Sequence, residues 1–313
     1  MPTTLTDIQQ AATRIAPLIH RTPVLTSQTI DRMAGCQLFF KCENFQKAGA
    51  FKMRGAANAV LLLTEAERER GVATHSSGNH GQALARAAQV VGCPAYIVMP
   101  RTAPEVKQRA VEGYGAEIIR CEPTLAARES TLAQVVQRTG AHFVHPYNNE
   151  PVIAGQGTAA LELIDQAGEL DTVMAPVGGG GLLSGTAIAT HGLLPEMAVV
   201  AGEPSGADDA YRSLLAGRIL PSEAPNTLAD GLLTSLGDLT FPIIQQHVQR
   251  IITVSDVEIM SALRLVWERM KIIIEPSCAV PLAALLKEKE AFAGQRVGII
   301  LTGGNVDLAK LAF

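Results

Sequence analysis

The sequence predicts an α/β fold of two open, twisted, mostly parallel sheets, the smaller lobe inserted in the larger. Three observations carry that expectation. Short apolar bursts alternate with segments of helical periodicity along most of the 313 residues. Hydrophobic residues make up 47% of the chain and charged ones 18%, which suits a large apolar interior and argues against disorder. No Pro-, Ser- or Gly-rich tract, charge block or low-complexity run marks a linker, so any passage between lobes lies within compact structure.

The strand candidates, in order, are CQLFFKCE, GVATHSS, AYIVMP, AEIIRCE, AHFVHP, TVMAPVGGGG, AVVAGEP, RIITVS and RVGIILTGGN. All are short enough for buried strands, and several end in Gly, Ser or Pro. Between them HGQALARAAQVVG, APEVKQRAVEGYG, TLAQVVQRTG and MSALRLVWERMK space their apolar residues as crossover helices do. Three strand-helix units fall within residues 70–141, enough for a sheet of their own. The smaller lobe is therefore placed there, and the larger at residues 1–69 and 142–313.

A formal net charge of −4 gives no general pull toward nucleic acid or an anionic membrane, so a small-molecule partner is expected. Cys36, Cys42, Cys93, Cys121 and Cys278 are odd in number, dispersed and free of any C-x-x-C pair, which fits reduced thiols in the cytoplasm. The start, MPTTLTDIQQ, lacks a basic segment followed by an apolar one, and no apolar run reaches the roughly 18 residues of a membrane span. The reading is a soluble, cytoplasmic protein.

Four stretches carry chemistry. FKMRGAANAV, residues 51–60, sets Lys52 on an apolar segment, where a lysine either lays its stem along the surface or, desolvated, becomes a nucleophilic amine. VGGGGLLSGTAIA, residues 177–189, puts Gly178, Gly179, Gly180 and Gly181 between a strand and a small-residue helix, an arrangement that cradles a phosphate. It has neither the dinucleotide G-x-G-x-x-G register nor the lysine of a P-loop. HSSGNHGQALA repeats the geometry with Ser76, Ser77, Asn79 and His80 at a helix start, suited to a small carboxylate. IILTGGNVD ends a strand at Thr302, and all three loops belong at the carboxyl ends of strands, where ligands collect in open sheets. GEPSGADDAY adds Glu203, Asp208 and Asp209, able with a backbone carbonyl to hold Mg²⁺ or Ca²⁺ or simply to be solvated.

Taken together, ENFQKAGAFKMRGA, SSGNHGQALA, AGQGT, PVGGGGLLSG, ADG, WERMKIIIEPS and LTGGNVD resemble, in order and spacing, the fold type II pyridoxal-phosphate enzymes (tryptophan synthase β-like), with the active site between the lobes. Within that group they look most like serine racemase and the serine/threonine dehydratases. The resemblance runs from RTPV at residue 21 to GNVD. It implies that Lys52 forms the Schiff base with pyridoxal 5'-phosphate, Phe51 packs near its ring, Asn79 meets its 3-oxygen, Gly178–Gly181 hold its phosphate and Thr302 faces its ring nitrogen. It implies a substrate carboxylate on Ser76, Asn79 and His80, Ser77 as a second base on the opposite face from Lys52, and Arg128 approaching the substrate. A divalent ion (Mg²⁺, or Ca²⁺ or Mn²⁺) is implied at Glu203, Asp209 and the Ala207 carbonyl. A nucleotide effector is implied in some relatives at Lys47, Gln82, Tyr114, Lys271 and Asn305.

The activity so implied is dehydration and deamination of L-serine or L-threonine to a 2-oxo acid and ammonia, with serine racemisation, in a homodimer that closes over substrate. Departures bear on the substrate. Ala48, Gly49, Ala50, Phe51 and Lys52 stand where the motif usually reads T-G-S-F-K, and loss of the serine at Ala50 resembles enzymes that dehydrate 3-hydroxyaspartate. Tyr147 and Pro281 depart as well. L-threo-3-hydroxyaspartate ammonia-lyase is therefore the second reading, and a non-catalytic amino-acid sensor the third.

Overall fold

The computed structural model describes residues 2–103 and 105–307. Along the chain its strands are β1 (Val24–Leu25), β2 (Gln37–Cys42), β3 (Val72–His75), β4 (Ala95–Pro100), β5 (Glu117–Cys121), β6 (His142–Phe143), β7 (Thr172–Pro176), β8 (Ala198–Pro204), β9 (Arg250–Val254) and β10 (Arg296–Leu301). The helices are α1 (Leu5–Ile15), α2 (Gln28–Ala34), α3 (Lys52–Leu61), α4 (Glu65–Arg70), α5 (Asn79–Val91), α6 (Glu105–Gly113), α7 (Leu125–Thr139), α8 (Glu150–Ala167), α9 (Gly181–Leu193), α10 (Asp209–Ala216), α11 (Thr240–His247), α12 (Asp256–Met270) and α13 (Pro276–Lys287). Helix starts follow local chemistry: Thr4 with Asp7, Thr64 with Glu67 and Ser255 with Glu258 each form a reciprocal capping box. None of these helices is long and apolar enough to cross a membrane.

Six strands form one sheet in the order β1-β2-β10-β7-β8-β9, parallel except for β1 against β2. The side-chain period of two divides its strands between two cores. Val297, Ile299 and Leu301 of β10 enter one core, with Met174 and Val200, while Ile300 enters the other with Val173, Ala175 and Val199. A fully parallel sheet, β5-β4-β3-β6, takes its strands from residues 72–143. Its main core is not closed by those residues alone, because Ile15, Met53, Ala56, Ala57 and Val60 pack into it from outside. Helix α3, which begins with Lys52, is thus part of the smaller sheet's packing. Strand β6 is two residues long, shorter than AHFVHP suggests, because the chain turns away after Phe143.

Helix α3 is fixed against α8 by close backbone approach and by buried charge. A Cβ on Gly155 would lie 2.6 Å from the Arg54 carbonyl oxygen, so only glycine admits that crossing. Arg54 donates to Glu43 (2.7 Å from Nε and from Nη2) and to Glu162 (2.8 Å from Nη1 and from Nη2), and Lys41 donates to Glu162 at 2.6 Å. The Arg54, Glu43 and Lys41 side chains are fully buried, so removal of one partner would strand a charge at a cost of about 3–5 kcal/mol.

Candidate active site

The loops after β3, β6, β7 and β10 converge on the start of α3. Phe51 N–H donates to the Thr302 carbonyl (2.9 Å), Gly304 N–H to the Gly49 carbonyl (3.0 Å) and Asn305 Nδ2 to the Ala48 carbonyl (2.8 Å), strapping the segment before Lys52 to the end of β10. Ala48 and Gly49 adopt left-handed backbone (φ 58 and 69°), and a Cβ on Gly49 would stand 2.3 Å from Asn305 Oδ1. Lys52 Nζ donates to the Pro146 carbonyl at 2.9 Å and lies 5.1 Å from the centre of the Phe51 ring. Desolvation lowers its pKa to about 8, against the opposing pull of Glu275. Lys52 is half-buried, and its amine turns inward onto a backbone carbonyl, the placement that the desolvated role requires.

Helix α9 begins at Gly181 behind an N-cap glycine, Gly180, held at φ 88°, and no side chain caps it. Gly181, Leu182 and Leu183 are buried, so the first amides of this helix sit out of bulk water without a side-chain acceptor. An anion satisfies such a helix start, and a phosphate therefore fits here. The loop also has no room for side chains: a Cβ on Gly179 would stand 2.3 Å from the Tyr147 ring and one on Gly178 3.0 Å from Leu232 Cα. Helix α5 likewise begins behind Gly78 with no side-chain cap, and Ser76 Oγ accepts from Gly78 N–H at 3.2 Å. His80 donates from Nε2 to the Val144 carbonyl at 3.0 Å, and its buried Nδ1 has no partner. Desolvation and the charge of Lys52 push its pKa to about 3, so its ring is a neutral acceptor. A carboxylate at this helix start would thus meet the His80 backbone amide and not its ring.

Asn79 links two loops: its Nδ2 donates to Glu275 Oε1 at 2.8 Å, and its Oδ1 accepts from Asn305 Nδ2 at 3.0 Å. Glu275, 4% exposed, is a site residue that motif reading did not single out; a carboxylate just before the proline that opens α13 was its one local signal. Burial and the charge of Asp230 raise its pKa to about 8. Thr302, 2% exposed, lies against the thiol of Cys278. Ser77 is half-buried on the same loop as Asn79, and Arg128, in the first turn of α7, has a buried Nε without a partner. Arg128 is also near enough to His75 to depress that ring's protonation, behind desolvation and the opposing charge of Glu129.

Of the effector residues, Asn305 touches the site directly. Gln82 is buried on α5, Arg86 covers the Tyr114 ring at 5.7 Å, and Lys271 Nζ donates to the Glu268 carbonyl.

The acidic loop after β8 forms a separate centre. Glu203 accepts from the Ala210 and Tyr211 amides, both at 2.8 Å, and neither oxygen of the buried Asp209 carboxylate has a hydrogen-bond partner within 3.5 Å. Burial raises their pKa values to about 8 and about 6, respectively. Two buried carboxylates are a donor set that a hard divalent ion would complete. Asp208 instead pairs with Arg212 at 2.7 Å. Among the described residues no group of three or more His, Cys, Asp or Glu gathers around a common point, so the third protein ligand would have to be a carbonyl such as that of Ala207.

A lysine next to an uncapped glycine-rich helix start, in a chain with one mostly parallel and one fully parallel sheet, fits a fold type II pyridoxal-phosphate enzyme. The chain belongs to the pyridoxal-phosphate dependent enzyme family, whose model matches residues 15–303. It is 55% identical over 308 residues, 98% of each chain, to a β-hydroxyaspartate dehydratase of Paracoccus denitrificans. It is 54% identical to a serine racemase of Dictyostelium discoideum, over 99% of this chain and 97% of that one. The crystal structure of the Dictyostelium serine racemase superposes with a TM-score of 0.94, covering 98% of this chain and 99% of that one. The crystal structure of the T.th. threonine deaminase, 46% identical, gives a TM-score of 0.93 over 97% of this chain and 99% of that one. The cofactor is pyridoxal phosphate, and the chain is an enzyme of the ammonia-lyase and racemase branch, which removes the sensor reading.

Proposed function

We propose that the chain dehydrates and deaminates small β-hydroxy amino acids, L-serine and L-threonine, to 2-oxo acid and ammonia, and racemises serine. The observation that carries this reading is the Lys52 amine held 2.9 Å from the Pro146 carbonyl, next to Tyr147, whose ring packs on Gly179 before the uncapped start of α9. Lys52 would carry the cofactor, with Phe51 and Asn79 beside its ring, Gly178, Gly179, Gly180 and Gly181 at its phosphate and Thr302 at its ring nitrogen. Bound pyridoxal phosphate supplies the electron sink that makes the substrate α-proton acidic. Ser76, Asn79 and the α5 amides at Asn79 and His80 hold the substrate carboxylate. The Lys52 amine takes the α-proton, and Ser77 returns one from the other face when the product is the D-amino acid.

Chiral chromatography of the products from L-serine tests this. Pyruvate with D-serine is expected; pyruvate alone would reduce Ser77 to a binding residue, and neither product would refute the serine reading.

L-threo-3-hydroxyaspartate is the second substrate, supported by Ala50 in place of serine, by the partnerless Arg128 Nε and by the β-hydroxyaspartate dehydratase relative. A kcat/KM on hydroxyaspartate well above that on serine would establish it, and an equal or lower value would remove it.

The proposal extends to Mg²⁺, or Ca²⁺ or Mn²⁺, at Glu203, Asp209 and the Ala207 carbonyl, supported by the burial of both carboxylates on one loop. A nucleotide held by Lys47, Gln82, Tyr114, Lys271 and Asn305 would act on the site through the Asn305–Asn79 hydrogen bond. Residues 70–141 would close against 1–69 and 142–313, using the ion pair of Lys107 with Asp230 (2.8 Å) and the Asn79–Glu275 bond as the joining contacts. A cytoplasmic homodimer completes the proposal, supported by five buried, free cysteines and by exposed Phe45 and Ile273 as apolar surface for a second copy.

A further inference from the structure

The turn after β6 serves three side chains at once. The Val144 carbonyl accepts from His80 Nε2 at 3.0 Å, and the Pro146 carbonyl accepts from Lys52 Nζ at 2.9 Å. Between them, His145 turns Nδ1 onto its own backbone, accepting the N–H groups of Asn148 at 2.9 Å and Tyr147 at 3.3 Å. Two donors aimed at Nδ1 leave no place for a proton there, so the neutral ring carries its hydrogen on Nε2. The ring is fixed in place, edge-on to Tyr147 at 4.6 Å and to Phe143 at 5.6 Å between centroids.

Nε2 is therefore a donor of settled position. Among the described residues nothing accepts from it, and the residue is partly exposed. Desolvation, then the nearby His75 and Lys52, hold the His145 pKa down to about 4 against the weak opposing charge of Asp238, so the ring stays neutral through the working pH range. The phosphate and the α-carboxylate have their own helix starts, and this N–H belongs to neither.

We propose that His145 is a specificity-determining residue whose Nε2–H donates a hydrogen bond to the oxygen on the substrate's β-carbon and holds that oxygen as it leaves. The inference rests on the β-elimination reading above. As the Cβ–O bond breaks, its electron pair goes to oxygen and the pair left by the α-proton forms the new carbon–carbon double bond. Lys52, having taken the α-proton, returns a proton to the departing hydroxide to make water. His145 transfers no proton, because a neutral imidazole is far too weak an acid; it acts by position and dipole.

Two substitutions separate this role from support of the turn. In His145→Asn, Oδ1 takes the place of Nδ1 as acceptor for the Tyr147 and Asn148 amides, but nothing reaches the position of Nε2. In His145→Gln, the amide reaches it. Each protein, loaded with cofactor, is compared on L-serine and on β-chloro-L-alanine, whose chloride leaves without a hydrogen bond, with the absorbance of the lysine-bound cofactor recorded in parallel.

The expected result is a roughly 10²-fold fall in the serine-to-chloroalanine ratio of kcat for His145→Asn, partial recovery for His145→Gln, and an unchanged absorbance maximum. Equal losses on both substrates, a shifted absorbance in His145→Asn, or no loss at all would overturn the proposal. A wild type that binds cofactor yet turns over neither substrate would refute the elimination reading and this proposal with it.

Discussion

Replacing Glu275 by glutamine should make the cofactor-free protein more stable in alkali while leaving it nearly unchanged in acid. The carboxyl is 4% exposed, accepts from Asn79 Nδ2 at 2.8 Å and has its pKa raised from 4.5 to about 8. A group whose folded pKa lies above its unfolded value favours the folded state fully only below the unfolded value, and that contribution is lost as pH rises through the folded one. Each pH unit across that interval takes about 1.4 kcal/mol from the folded state, so by pH 9 the wild type has lost on the order of 3–5 kcal/mol that the amide does not lose. Glutamine keeps the oxygen that accepts from Asn79 and has nothing to ionise. Urea denaturation at pH 5, 7 and 9 should show the two proteins within about 1 kcal/mol at pH 5, Glu275→Gln ahead by about 3 kcal/mol at pH 7, and the difference levelling off at about 5 kcal/mol by about pH 9. Parallel stability curves, or a wild type that gains on the variant toward pH 9, would refute the burial argument.

Three further expectations concern separate parts of the site. Gly179→Ala should weaken cofactor binding at least tenfold in an absorbance titration, because the new methyl would stand 2.3 Å from the Tyr147 ring and must displace the phosphate loop or the tyrosine. Mg²⁺ should raise the melting temperature more at pH 8 than at pH 5: Glu203 and Asp209, with pKa values of about 8 and about 6, hold protons at the lower pH and need a cation at the higher. Calorimetry with Asp209→Asn should lose that difference. Arg54→Met should destabilise the fold by about 3–5 kcal/mol in urea titrations, since it removes the cation paired with the buried Glu43 and leaves Glu162 with Lys41 alone.

The strands were legible because a parallel sheet buries both faces and writes continuous apolar runs into the sequence: VMAP of β7 and GIIL of β10 need no context to be read. The loops after β3 and β7 were legible for the opposite reason, since consecutive glycines and a serine–asparagine cluster at a helix start have few purposes. Glu275 escaped because its importance comes from Asn79, 196 residues away, and no local pattern encodes that pairing. His145 and the Pro146 carbonyl escaped in the same way. AHFVHP reads as strand, yet its last residues form the turn that holds Lys52, and a backbone acceptor has no signature in residue type. The packing of α3 into the smaller sheet's core was hidden too, because its alanines suit either neighbour and the choice is made by tertiary contact.

The central claim is that Lys52 carries the cofactor, and borohydride reduction of the pyridoxal-phosphate-loaded protein followed by peptide mass mapping tests it most directly. The reduced cofactor should be found on Lys52, with Lys52→Ala showing no adduct and no turnover. An adduct on Lys47 or another lysine, or catalysis surviving in Lys52→Ala, would contradict it.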